Sequence, residues 1–114
     1  MENERENSIK PKEIAFGMVF ENVSGGETSR HVVVDPGKKK VFYASRIAKI
    51  NGETVLWFPG SNTLNDVTRT TDERWTKEQI LAAYENRFSS VGGTPEYIVE
   101  RVTNCSKGRP RKIT

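Results

Sequence analysis

Apolar residues recur at a spacing of two in several short runs before Trp75, and at a spacing of four in one run after it. Ile14 to Val23 reads IAFGMVFENV and predicts a half-buried strand, with Phe16, Met18 and Phe20 on one face and Val19 on the other. Arg30 to Val34 reads RHVVV. Three consecutive valines break the alternation, which fits a central strand or a closed sheet. Val41 to Phe58 predicts a hairpin: VFYASRIAKI, then Asn51-Gly52, then ETVLWF. Asn-Gly between β-branched and aromatic runs is a strong hairpin signal, because both residues tolerate positive φ.

A two-residue turn at Asn51-Gly52 sets a register in which Ile50 faces Glu53, Ile47 faces Leu56, Arg46 faces Trp57 and Ser45 faces Phe58. One face then collects Val41, Tyr43, Ile47, Leu56 and Phe58, which reads as core. The other collects Phe42, Arg46, Ala48, Val55 and Trp57, with Arg46 placed for a cation–π contact on Trp57. A hairpin apolar on both faces needs cover on both sides, or uses one face for binding.

Ser24-Gly25-Gly26 and Asp35-Pro36-Gly37 read as turns, and Pro59-Gly60-Ser61-Asn62 as a break. Leu64 to Thr71 has room for one short strand around Val67 to Thr70. Thr76-Lys77-Glu78-Gln79 fits a capping box, with Trp75 and Ile80 as its hydrophobic staple. Ile80, Tyr84 and Phe88 then form a stripe with Leu81 beside them, predicting a helix near 77–90 that lies on the sheet or plugs a barrel end. Gly92-Gly93 ends that segment. Thr94 to Asn104 fits a helix with Ile98, Val102 and Cys105 on one face, and fits a strand through Tyr97, Ile98, Val99, Val102 and Thr103.

These elements predict an α+β fold: a small, strongly bent antiparallel sheet or an SH3-like barrel, with one or two C-terminal helices and disordered termini. Met1 to Lys12 reads as a disordered arm, 13–104 as a single domain and 105–114 as a basic tail. The build resembles small SH3-like barrel proteins of bacteriophages.

Composition narrows the class. The chain has 114 residues, 34% hydrophobic and 29% charged, enough for one domain with a modest core. No apolar run approaches a membrane span and no signal peptide opens the chain. A single cysteine, Cys105, cannot staple the fold, which fits a cytoplasmic location. The net charge is +3. Lys107, Arg109, Arg111 and Lys112 carry four of the 18 basic groups, so the rest holds 14 against 15 acidic ones. This is a basic tail on a near-neutral body.

Ser106 to Thr114 reads SKGRPRKIT. Gly108-Arg109-Pro110 with basic flanks resembles the AT-hook, a short DNA-binding motif centred on Arg-Gly-Arg-Pro. The resemblance spans Lys107 to Lys112. It implies an extended core in the minor groove of A·T-rich DNA, with Gly108 deepest, Arg109 along the groove and Pro110 steering the chain out. Arg111 and Lys112 would meet phosphates. A narrow A·T groove concentrates negative potential, and the guanine amino group obstructs it. Lys107 stands where the motif has its first arginine, and a round ammonium inserts less well than a planar guanidinium. The alternative is a solubilising tail with no particular partner.

Lys38, Lys39 and Lys40, with Phe42, Arg46 and Trp57 nearby, are candidates for a second contact to nucleic acid. The competing reading makes the lysines a solvated hairpin tip and the aromatics core. Catalysis has little support. His31 is the sole histidine, Cys105 has no histidine near it in sequence, and Asp66, Asp72 and Glu73 lack metal-loop spacing. No cofactor or metal is expected. The leading expectation is a non-enzymatic DNA-binding accessory protein, to which dimerisation would add avidity. Its rivals are a protein–protein interaction module, an inhibitor or adaptor using the Phe42/Arg46/Trp57 face, and an RNA-binding protein.

Overall fold

The computed structural model describes residues 13–107. The arm before Glu13 and the residues from Gly108 onward, including Arg109, Pro110, Arg111 and Lys112, lie outside the described residues. Six strands come first: β1 (Met18–Ser24), β2 (Glu27–Asp35), β3 (Val41–Ile50), β4 (Glu53–Leu56), β5 (Gly60–Thr63) and β6 (Arg69–Arg74). Two helices follow, α1 (Lys77–Phe88) and α2 (Glu96–Ser106). The sheet order is β4-β3-β2-β1-β6, with β5 also paired to β3, and every pairing is antiparallel. No ladder joins β6 to β4 or β5 among the described residues. The fold is therefore the expected α+β, with an open sheet rather than a closed barrel.

Asn51 and Gly52 take φ of 52° and 84°, so the hairpin turn forms as its residue types dictate. Ile50 pairs with Glu53 and Ile47 with Leu56. There the predicted register ends. Ala44 pairs next with Gly60, so Trp57, Phe58 and Pro59 stand against only Ser45 and Arg46. This one-residue bulge undoes the expected Ser45–Phe58 pair, and of the Arg46–Trp57 pair it leaves the Trp57 N–H donating to the Arg46 carbonyl at 3.1 Å. The predicted break at Pro59 to Asn62 becomes β5, which completes the edge of β3.

The valine run is resolved by cover on both faces. Val32 and Val34 join Val19, Leu56, Ile80, Tyr84, Phe88, Ile98 and Val102 beneath the helices. Val33 joins Ile14, Met18, Phe20, Phe42, Ala44 and Val67 on the opposite face. Phe42 has no exposed surface, so it is core and leaves the list of contact residues. Phe16 departs from its predicted partners. Gly17 takes φ of +83°, and a Cβ there would lie 2.3 Å from the Trp75 carbonyl oxygen. The kink starts β1 at Met18 and turns Phe16 to the helix-side core.

The Thr76–Gln79 capping box forms: Gln79 N–H donates to Thr76 Oγ1 at 3.2 Å and Thr76 N–H to Gln79 Oε1 at 2.8 Å. Thr94 to Asn104 resolves as helix, burying Ile98, Val102 and Cys105. The last strand lies later than Val67 to Thr70. Leu64–Asp66 is a 3-10 turn, and Val67 is buried before β6 begins.

Candidate functional site

Two arginines from the helices reach back to aromatic rings of the sheet. Arg101, on α2, lays its guanidinium 4.3 Å from the centre of the Tyr43 ring. Arg87, on α1, lays its own 4.5 Å from the centre of the Trp57 ring and 5.4 Å from that of Phe88. Both geometries are cation–π stacks. The polar ends differ. Arg101 Nε donates to Asp35 Oδ2 at 2.7 Å, and that carboxylate is 1% exposed. Arg87 Nε is buried and has no hydrogen-bond partner among the described residues.

The bulge after β4 creates the Arg87 site. It pushes Trp57 and Phe58 off the β3 ladder and towards the end of α1. Phe58 packs edge-on against Phe88, with ring centres 4.9 Å apart at 65°, yet remains 54% exposed. Its expected core position is therefore wrong, as is that of Val41, 49% exposed at the start of β3. A groove of about 550 Å³ runs beside the bulge, lined by Arg46, Ile47, Ala48 and Trp57. None of the lining side chains is acidic. Arg46 is exposed and has no side-chain hydrogen bond or ion pair among the described residues. The guanidinium on Trp57 is that of Arg87, not the expected Arg46.

His31 sits across the sheet from Arg46. Its ring stacks on Phe20 with centres 5.2 Å apart, and its Nε2 lies 2.9 Å from Ser29 Oγ. Burial, then the nearby positive charge of Arg46, hold its pKa below the usual 6.5. The neutral ring keeps the Arg46 side of the sheet from gathering more positive charge. The Tyr84 hydroxyl bonds Ser45 beneath α1, and burial pushes its pKa up to about 12.

The lysines of the second predicted contact separate. Lys39 Nζ donates to the Ile14 carbonyl at 3.1 Å and its backbone takes φ of 74° in the turn. It ties the turn down. Lys38 and Lys40 are exposed. Lys107 is exposed at the end of α2, where its N–H donates to the Asn104 carbonyl at 3.2 Å.

A second cleft of about 330 Å³ includes Glu73, Trp75, Gln79 and Asn86 in its lining. Its polar groups are already engaged. Trp75 Nε1 donates to Glu73 Oε2 at 2.9 Å, Arg30 pairs with the same carboxylate, and Asn86 donates to the Thr54 carbonyl at 2.9 Å. The indole hydrogen bond is the main cause that lowers the Glu73 pKa.

Sequence reasoning missed Arg87, Arg101, Asp35 and the exposure of Phe58. The first two stand on helices far along the chain from their aromatic partners. Asp35 reads as a turn residue, which it also is, since Gly37 N–H donates to its Oδ1 at 2.9 Å. No protein-family model, curated protein or solved structure matches the chain.

Proposed function

We propose that the protein is a non-enzymatic DNA-binding accessory protein that grips polyanion at two places, the groove beside Arg46 and Trp57 and the basic tail. The observation that carries this reading is the exposed Arg46, without a side-chain partner among the described residues, on the wall of a groove that has no acidic lining. An exposed guanidinium can meet a phosphate through two parallel hydrogen bonds. The AT-hook-like residues Lys107 to Lys112 add A·T-leaning minor-groove contact. An intracellular, DNA-associated location goes with this reading. Four or five phosphate contacts support an affinity of roughly 10⁻⁴ to 10⁻⁶ M in physiological salt, falling steeply as salt rises.

Fluorescence anisotropy with A·T-rich and G·C-rich duplexes tests it. The full-length chain is compared with one carrying Lys107→Ala, Arg109→Ala, Arg111→Ala and Lys112→Ala together. The substituted chain should bind more weakly and lose its A·T preference. Equal binding by both removes the tail, and no binding by either removes the function. Arg109→Ala alone should weaken A·T binding more than Lys112→Ala, because one lies in the groove and the other on phosphate.

A second reading, a protein–protein interaction module, draws on the 54% exposure of Phe58. Its mark would be a protein partner whose binding Phe58→Ser abolishes while duplex binding is unchanged.

A further inference from the structure

Resting on the proposed function, we infer that His31 couples phosphate binding at Arg46 to proton uptake, so that the protein holds polyanion more tightly as the medium turns acidic. His31 and Arg46 are direct cross-strand partners in the β2–β3 ladder. Side chains so paired point to the same face of the sheet, with Cβ atoms about 5 Å apart. His31 does not line the groove. It senses the groove through Arg46, which is exposed and has no side-chain partner among the described residues.

The ring can take a second proton without losing its place. The Ser29 hydroxyl donates to the Asn22 carbonyl at 3.4 Å and lies 2.9 Å from His31 Nε2. With that hydrogen given to Asn22, Ser29 Oγ accepts from Nε2–H, and Nδ1 is the nitrogen that a proton from solvent joins. The Nε2 hydrogen bond survives the change. The Phe20 ring, stacked on the imidazole with centres 5.2 Å apart, favours the charged form. Asp66, from the 3-10 turn, favours it too, while burial and Arg46 oppose it. Phe20 and Asn22 from β1 bring no charge.

Arg46 is the opposing charge that a ligand can cancel. A phosphate paired with its guanidinium neutralises the field that His31 faces, and the ring then protonates more readily. Linkage makes the effect reciprocal, so a protonated His31 strengthens the hold on the phosphate. The free ring protonates only below the usual 6.5, and the bound ring protonates at a higher pH than the free one. Affinity therefore rises as pH falls through the bound-state midpoint and levels off below the free-state midpoint.

His31 is the sole histidine, so its Cε1–H resonance can be followed by NMR without ambiguity. The full-length chain is titrated from about pH 7.5 to about pH 5.5, free and with the A·T-rich duplex, and duplex affinity is read by anisotropy over the same range. The duplex should raise the His31 midpoint, and affinity should rise about fivefold. Arg46→Gln should start from a higher midpoint, shift little on adding duplex and bind with little pH dependence. His31→Gln should bind with a flat pH dependence. Circular dichroism checks that each variant is folded. An unmoved midpoint and a flat affinity in the duplex-bound full-length chain overturn the inference and leave the proposed function standing. An equal shift in Arg46→Gln also overturns it, since the ring would then feel the duplex directly. So does a pH dependence that persists in His31→Gln, which would belong to another group. Absence of duplex binding at every pH removes the proposed function and this inference with it.

Discussion

Arg101 and Arg87 are the same side chain in two electrostatic settings. Each lies over an aromatic ring of the sheet at nearly the same distance. Arg101 closes on a buried carboxylate and pins α2 to the corner where β2 turns into β3. Arg87 closes on nothing charged among the described residues and lies against Trp57 and Phe88. A charge with its counter-ion inside the fold serves cohesion. A charge held between rings without one depends on those rings, and its unpaired buried Nε is a cost that the rest of the fold has to carry.

The largest effect expected from this contrast is at Asp35. Asp35→Ala strands the Arg101 guanidinium and the Gly37 N–H together. About 2–3 kcal/mol of unfolding free energy should be lost, less than for a fully buried pair because the Arg101 side chain is 32% exposed. Urea denaturation measures it. Arg87→Gln, by contrast, should cost less, about 1–2 kcal/mol, the size of its two cation–π contacts. Equal losses in the two variants would mean that the ring contacts hold α1 as firmly as the ion pair holds α2.

Tyr84→Phe comes next. It leaves the fully buried Ser45 hydroxyl without its partner and should cost about 1–2 kcal/mol, read from the same denaturation curves. Ser45→Ala added to it should recover part of the loss, because no orphaned hydroxyl then remains.

The smallest effect is a pH dependence. The His31 pKa is lower folded than unfolded, so between the two values the unfolded chain binds more protons. Its contribution to stability is complete above pH 6.5 and falls as pH drops below it, with a slope of at most about 1.4 kcal/mol per pH unit. His31→Phe should flatten stability across that window. Arg46→Gln should narrow it by removing the charge that depresses the pKa. A slope unchanged by either variant would assign the dependence to other groups.

Much of the frame was legible in residue types alone. Asn51-Gly52 announced its hairpin, Thr76 with Gln79 announced its helix, and the valine run announced a central strand or a closed sheet, of which the first is found. Each signal is local or depends on a single periodicity. The bulge at Trp57 to Pro59 was not legible, because a bulge exists only relative to the strand it opposes. Gly60 to Thr63 has no apolar pattern, and only the ladder to β3 makes it a strand. For Thr94 to Asn104 local propensity was balanced. Tertiary contact decided it, by burying Ile98, Val102 and Cys105 and bringing Arg101 to Asp35. The candidate site was half legible. Arg46 and Trp57 were found because they share a hairpin. Arg87 was not, because nothing local ties a helix residue to a bulge residue thirty positions earlier.

Among the described residues the first strand lies beside the last, with Met18 opposite Arg74 and Glu21 opposite Arg69. During synthesis, β1 and β2 can zip together as soon as they clear the ribosome, but the flank that β6 will occupy stays bare until residue 74 emerges. For that interval the nascent chain exposes an unsatisfied row of amides and carbonyls. The charged residues of β6 arrive late to cover it, and they leave as the finished protein's outer border a strand poorly suited to recruit a neighbour.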